Sequence, residues 1–136
     1  MPETHGTAGV QVRRAVIEDA AAIARVKVDT WRTTYRGMVP DGYLDRMSYA
    51  AHAEDWSRII ANPGCWVYVA ADGASQVVGF VAGGPRWSGP ERYAAELYAL
   101  YVRAEQQGRG VGARLMTALA TAFDRAGLSS MLLWVL

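Results

Sequence analysis

The chain has 136 residues, the size of one compact domain, and 51% of them are hydrophobic. Only 20% are charged, which excludes a disordered chain, and a formal net charge of +1 gives no general attraction to nucleic acid or anionic membranes. A single cysteine, Cys65, excludes an internal disulfide and a thiolate metal cluster. No apolar run reaches the roughly 18 residues of a membrane span, and we expect a cytoplasmic protein.

The N-terminal part of the chain predicts a short strand followed by a helix. Residues 1–9 are small and polar, and we expect a disordered tail before a single domain over residues 10–136. Alternation predicts a strand over residues 10–15, and Glu18 and Asp19 supply a cap and an acidic first turn for the helix. The apolar face of this helix repeats at steps of three and four: Ala20, Ala24, Val28, Trp31 and Tyr35.

A second helix is predicted to begin after Ser48, whose side chain can cap it, and to end before residues 62–64. Residues 41–47, between the two helices, predict no more than one turn of helix. Two β-rich runs follow, at residues 65–71 and 76–83, and the Asp-Gly pair between them predicts an antiparallel hairpin.

The C-terminal part predicts a strand, a helix and a further strand. Residues 84–92 have the composition of a loop, and Ala94–Val102 forms an apolar strand pattern. A helix follows over residues 110–126, with Gly127 as its C-terminal glycine, and residues 130–136 are an apolar strand. The order β-α-α-β-β-β-α-β predicts an α/β fold in which helices cover a mixed sheet.

The glycine-rich segment between this strand and helix has the features of an anion-binding loop. It reads Gln-Gly-Arg-Gly-Val-Gly over residues 107–112. A helix N-terminus exposes unpaired N–H groups, glycines let a phosphate approach the backbone, and Arg109 adds a charge-assisted contact. A dinucleotide fingerprint is the weaker interpretation, because five residues separate Val102 from the first glycine, Gly108, and no acidic residue follows Asp124.

The spacing Gln107-x-x-Gly110-x-Gly112 resembles the Q/R-x-x-G-x-G/A motif of the GCN5-related N-acetyltransferase (GNAT) superfamily. The preceding segment Glu-Leu-Tyr-Ala-Leu-Tyr-Val, from Glu96 to Val102, is similar to the fourth strand of that family. The order of elements also matches, and the resemblance covers about residues 10–136.

The resemblance implies acetyl-CoA as cosubstrate, bound by the glycine loop and by main-chain groups of the fourth strand, where a bulge separates it from the fifth. One main-chain N–H group of that strand is expected to stabilise the tetrahedral oxyanion. The residues it assigns to the cosubstrate are Leu100, Tyr101, Val102, Gln107, Gly108, Arg109, Gly110, Val111, Gly112 and Ala113.

Glu96 is the candidate catalytic base, because it is the carboxylate inside an otherwise apolar strand and a partly buried carboxylate has a raised pKa. A structural Glu96, with ordered water as the proton relay, remains an equal alternative. Trp31 and Tyr35 are the candidate acceptor-binding residues, by cation–π contact, or else ordinary core aromatics. Residues 84–92 form either a second rim of the acceptor pocket or a solvated loop. Neither histidine has the spacing of a metal ligand.

Members of the superfamily continue beyond the fifth strand with a helix, often carrying a tyrosine acid, and further strands. We therefore expect either a truncated chain, or a partner copy that completes the sheet edge as a homodimer. The expected activity is acetyl transfer to a primary amine, on a small molecule or a peptide, without a metal or nucleic acid. A catalytically silent acetyl-CoA sensor is the alternative.

Overall fold

A computed structural model describes residues 9–85, 94–128 and 130–132. Its strands are β1 (Gln11–Arg14), β2 (Trp66–Ala71), β3 (Val77–Pro85), β4 (Ala94–Val102) and β5 (Ser130–Leu132). Its α-helices are α1 (Ala20–Thr34), α2 (Asp41–Asp45), α3 (Tyr49–Ala61) and α4 (Val111–Arg125). Short 3-10 turns lie at Ile17–Asp19 and Ala104–Gln106.

The five strands form one sheet in the order β1-β2-β3-β4-β5. The first four strands are antiparallel neighbours, whereas β5 runs parallel to β4 after the crossover through α4. This arrangement confirms the predicted α/β fold with a mixed sheet. The predicted continuation of β5 over residues 133–136 lies outside the described residues, as do residues 86–92 of the predicted loop. The predicted separation of the fourth and fifth strands is therefore not described.

Side chains that alternate along the strands build a core on each face of the sheet. One face packs against α1 and α3 through a cluster that includes Ile23, Val26, Trp56, Val69 and Phe80. The other face packs against α4 through a cluster that includes Val81, Val111, Leu115, Leu119 and Phe123. The sheet is therefore covered on both sides, which holds the loop before α4 at a fixed place relative to the end of β4.

A β-bulge interrupts the pairing of β3 with β4. Ala82 pairs with Ala99, but the next residue, Gly83, pairs with Leu97, so Tyr98 is the additional residue in β4. A Cβ atom at Gly83 would lie 2.6 Å from the carbonyl oxygen of Glu96, because the two strands approach very closely here. Glycine is thus required at the strand position that accommodates the bulge.

The helix ends show where the predicted capping signals were correct. Ser48 caps α3, since its hydroxyl accepts a hydrogen bond of 3.1 Å from the N–H of Ala51. Gly127 follows α4 with a φ of +81°, the left-handed conformation expected of a C-terminal glycine. Asp19 is the N-cap residue of α1, as predicted, but its side chain makes no cap hydrogen bond to that helix. It accepts instead from the N–H of Val16 at 2.8 Å and from the guanidinium of Arg13.

The turn of helix predicted within residues 41–47 is confirmed as the short helix α2, whose apolar residue Leu44 is completely buried. Strand β3 continues through Gly84 and Pro85, which were assigned to a loop, because these residues pair with Glu96 and Ala95 of β4. Within the described residues, no helix has the length and apolar character needed to cross a membrane.

Candidate active site

The glycine loop turns the chain from β4 into α4 by means of two glycines with positive φ. Gly108 has a φ of +78° and Gly110, the N-cap of α4, has a φ of +81°. Side chains other than glycine adopt this conformation at a cost of roughly 1–2 kcal/mol each. The buried side chain of Val111 then anchors the start of α4 against the sheet.

The N-terminus of α4 presents main-chain donors to the loop. The first helical hydrogen bond, of 3.1 Å, runs from the N–H of Arg114 to the carbonyl of Gly110. The N–H groups of Val111, Gly112 and Ala113 therefore precede the helical ladder and have no acceptor within it. The helix dipole places partial positive charge at the same point, and the exposed Arg109 lies beside it.

The register of β3 and β4 decides which main-chain groups of β4 point away from β3. The N–H of Arg103 donates to the carbonyl of Val78 at 2.8 Å, so the main chain of Arg103 and, two residues earlier, of Tyr101 faces β3. The main-chain groups of Leu100 and Val102 consequently face the opposite edge of β4. Three residues of β4 were predicted to bind the cosubstrate. Leu100 and Val102 present their main chain at the edge away from β3, while Tyr101 presents only its side chain to the site.

Gln107 ties the loop to that same edge. Its side-chain amide donates a hydrogen bond of 2.9 Å to the carbonyl of Val102. The side chain of Val102 lies 3.8 Å from the position of a Cβ atom at Gly112, so an alanine there would make ordinary contact. The strand edge and the glycine loop thus form one continuous surface of main-chain groups.

Glu96 lies on the face of β4 that α1 covers. Its neighbours Ala95 and Leu97 both pack toward α4, and alternation places the Glu96 side chain on the other face. The residue is partly buried. It is therefore on the same side of the sheet as Trp31 and Tyr35.

Trp31 and Tyr35 form an aromatic wall with Tyr101 of β4. The rings of Trp31 and Tyr35 lie 4.6 Å apart between centroids, and the indole N–H of Trp31 donates a hydrogen bond of 2.8 Å to the Tyr101 hydroxyl. Burial raises the pKa of Tyr101, although the bond from Trp31 acts in the opposite direction. Tyr101 is therefore a neutral phenol near pH 7, and all three rings are partly buried rather than enclosed in the core.

The arginines near these aromatics have structural partners. Arg32 donates to the carbonyls of Leu44 and Met47 at 3.1 and 2.8 Å, which fastens α2 to α1. Arg36 forms ion pairs with Asp41 and Asp45 of α2 at 3.3 and 3.1 Å. The segment after α1 is thereby held in place beside the aromatic wall.

A polar network that the sequence did not reveal joins α1, α3 and the end of β4. The Asp29 carboxylate accepts a hydrogen bond of 2.5 Å from the Tyr49 hydroxyl and forms an ion pair of 3.2 Å with Arg103. Arg25 and Arg32 lie over the Tyr49 ring at 4.9 and 5.3 Å from its centroid. The network fixes Arg103, the residue at which β4 leaves the sheet for the loop.

One other sequence feature has a plain structural role in the described chain. Cys65 is buried, and burial raises the pKa of its thiol, as fits a small hydrophobic residue.

The residues described contain no group of three or more His, Cys, Asp or Glu that could hold a metal ion. A cavity of about 680 Å³ lies between the start of α1 and the β2–β3 turn, and no predicted site residue lines it.

The mixed sheet, the bulged fourth strand and the glycine loop that opens α4 define a protein of the acyl-CoA N-acyltransferase fold. A family model described as "Acetyltransferase (GNAT) family" matches residues 27–136. The chain belongs to this family, as the motif around Gln107 and Gly110 predicted. By class it is an acyltransferase.

A relative and two solved structures agree with this assignment. The chain is 41% identical over 128 residues to the uncharacterized N-acetyltransferase YuaI of Bacillus subtilis, covering 93% of this chain and 72% of the relative. The crystal structure of PaiA N-acetyltransferase from Thermoplasma acidophilum in complex with coenzyme A superposes with a TM-score of 0.78 at 22% identity, over 93% of this chain and 79% of that one. AAC(6')-Iy in complex with a bisubstrate analog gives 0.71 at 16% identity, over 93% and 80% of the two chains.

Proposed function

We propose that this protein transfers an acetyl group from acetyl-CoA to a primary amine of a small molecule or peptide. The observation that carries the proposal is the continuous main-chain surface that runs from Leu100 and Val102, on the edge of β4 that faces away from β3, to the N-terminus of α4. Such a surface fits the two parts of the cosubstrate, a pantetheine arm with amide groups and a pyrophosphate with two charges.

The glycine loop is the proposed pyrophosphate site. The N–H groups of Val111, Gly112 and Ala113 supply donors, and the helix dipole and Arg109 supply positive charge. Gly108 has open space around the position of its missing Cβ atom, so a phosphate can approach the backbone closely.

The edge of β4 is the proposed site of the pantetheine arm. Leu100 offers its N–H and carbonyl groups and Val102 its N–H group to an extended amide chain, while the Val102 carbonyl accepts from Gln107. When bound, acetyl-CoA supplies an activated acetyl group, and a β4 N–H group aimed at its carbonyl oxygen would stabilise the charge that develops during attack.

Proton removal from the attacking amine is assigned to the α1-covered face of β4. Glu96 lies on that face and is the proposed base, either directly or through a water molecule that it orients. The aromatic wall of Trp31, Tyr35 and Tyr101 lies on the same face, and its rings are the proposed contacts for a cationic acceptor before deprotonation.

The proposal is tested first by ligand-dependent thermal unfolding with acetyl-CoA, CoA, NAD and ATP in parallel. A ligand at 100 times its dissociation constant adds about 2.7 kcal/mol of stability, which raises the melting temperature by several degrees. The expected result is stabilisation by both CoA forms alone. A screen of amines then measures turnover by release of the CoA thiol. Stabilisation by CoA without turnover of any amine supports the alternative of a catalytically silent acetyl-CoA sensor. No stabilisation by either CoA form overturns the proposal.

A pair of glycine variants locates the site on the loop. Gly110→Val and Gly127→Val place the same β-branched side chain at residues with the same φ of +81°, at opposite ends of α4. Both lose stability by a similar amount, roughly 1–2 kcal/mol from the left-handed conformation. Only Gly110→Val is expected to lose CoA binding, measured by calorimetry at a temperature where both variants are folded; equal affinities in the two variants contradict the loop assignment.

Glu96→Gln tests the proposed base. The amide cannot accept the proton, so we expect a lower rate or a changed pH profile of kcat/KM, with unchanged CoA affinity. If the profile keeps its shape, Glu96 is structural and the proton leaves through water.

A further inference from the structure

Lys27 is the one lysine of the sequence, and it lies outside the candidate active site. Its side chain is half-buried on α1, where the helix packs against α3. An open cavity of about 430 Å³ adjoins it. This cavity is lined by Lys27, Asp55, Trp56, Arg58, Ile59 and Asn62.

The ammonium group of Lys27 has no ion-pair or hydrogen-bond partner among the described residues. Asp55, the carboxylate in the same cavity, is held by Arg58 at 2.5 Å and acts on Lys27 only as a more distant charge. Burial therefore lowers the pKa of Lys27, and the charge of Asp55 offsets this only in part. More of this amine is neutral near pH 7 than in a free lysine, and a neutral amine is the nucleophilic form.

A second titratable group, His52 on α3, lies within electrostatic range of the same amine. Burial lowers the pKa of His52 on α3, and the positive charge of Lys27 lowers it further, while Asp55 acts in the opposite direction. His52 is therefore neutral near pH 7. The charged and titratable groups that act on Lys27 or share its cavity include His52, Asp55 and Arg58, all on α3.

We propose that Lys27 is a modification site that accepts an acetyl group directly from an activated acetyl donor. The lone pair of Nζ attacks the acetyl carbonyl and forms an amide bond. The bond from the acetyl carbon to the sulfur of a thioester, or to the oxygen of an acyl phosphate, breaks, and the leaving group departs with that electron pair. The proton lost from Nζ passes to His52 or to solvent. The cavity admits the acetyl group beside Trp56 and Ile59.

The modification removes the positive charge from a half-buried position. The product is a neutral amide whose methyl group can pack against the apolar side chains of α3. Because Trp31 lies one helical turn after Lys27 on α1, the modified helix is the one that carries part of the aromatic wall.

The test uses the full chain with acetyl phosphate and, separately, with acetyl-CoA at pH 7. Site-resolved mass spectrometry follows acetylation of Lys27, with the α-amine of the chain and a lysine peptide as references. We expect Lys27 to be acetylated several-fold faster than the lysine in the peptide, and this advantage to disappear in the urea-unfolded chain. Equal rates for Lys27 and the peptide lysine overturn the proposal.

Two variants make the assignment specific. Lys27→Arg keeps the charge and loses the lysine adduct, and His52→Gln lowers the rate at Lys27 without changing that at the α-amine. Reaction with acetyl phosphate does not involve the proposed CoA loop, so it remains informative if the proposed function fails. Acetylation by acetyl-CoA alone that Gly110→Val abolishes would show delivery by the acyltransferase site and would overturn the direct reaction.

Discussion

Replacing Gly83 with alanine should destabilise the fold at the bulge of β4. The new Cβ atom would lie 2.6 Å from the carbonyl oxygen of Glu96, 3.0 Å from the Phe123 ring and 3.1 Å from Leu119. The first of these contacts is with backbone, which cannot rotate away, so the strands or α4 must move. Overpacking of this kind costs about 1–3 kcal/mol.

That cost corresponds to a measurable shift in melting temperature. Unfolding entropy of about 2.1 cal/mol/K per residue gives roughly 0.3 kcal/mol/K for a chain of 136 residues. A loss of about 2 kcal/mol therefore lowers the melting temperature by about 7 °C, readily followed by circular dichroism or calorimetry.

Gly73→Ala is the matched control for this prediction. Gly73 lies in the β2–β3 turn, and a Cβ atom there meets no atom within 4 Å. The same substitution should leave the melting temperature nearly unchanged. If Gly83→Ala has the same melting temperature as the wild type and as Gly73→Ala, then β3 and β4 do not approach each other as closely as described.

Two further substitutions probe individual contacts. The Arg13 hydrogen bond lowers the pKa of Asp19, so its contribution to stability is complete above the ordinary value of 3.8 and is lost as the pH falls through the lower folded-state value. Asp19→Asn should lower the free energy of unfolding by about 1 kcal/mol at pH 7, measured by urea titration. The difference from wild type should shrink below pH 3.8, and a difference that does not change with pH contradicts the ion pair. Trp31→Phe removes the hydrogen-bond donor to Tyr101 and should lower the free energy of unfolding by about 1 kcal/mol. A double-mutant cycle with Tyr101→Phe should show this as a coupling energy between the two residues, and zero coupling refutes the hydrogen bond.

The order of elements was predictable because its signals are local. Ser48 before an apolar helical pattern, Asp72-Gly73 between two β-rich runs and Gly127 after α4 each determine a boundary from neighbouring residues, and the structure confirms all three. The glycine loop was equally predictable from the sequence, because two closely spaced positions with positive φ favour glycine and so produce a recognisable glycine pattern.

The contacts between distant segments were not predictable from one sequence. The bond from Trp31 to Tyr101 joins residues 70 positions apart, and the ion pair of Asp29 with Arg103 joins residues 74 apart. No regular spacing in the sequence indicates either pair, since the sequence pattern of a polar residue on a helix is the same whether its side chain faces solvent or a partner. Asp19 shows the same limit over a short range: Arg13 and the N–H of Val16 compete for a carboxylate that the sequence assigned to α1.

The extra residue in β4 makes this strand unusually tolerant of a change in length. Loss of one residue from a regular strand moves every later side chain to the opposite face. Removing Tyr98 would not do so, because Leu97, Ala99 and Leu100 would then alternate without a break, each on the face that it already occupies. The chain can therefore lose or regain a residue here while both halves of the core keep their order. The local bend of the strand would change, and the hydrogen bond of 3.1 Å from the Tyr98 hydroxyl to the Pro85 carbonyl would be lost.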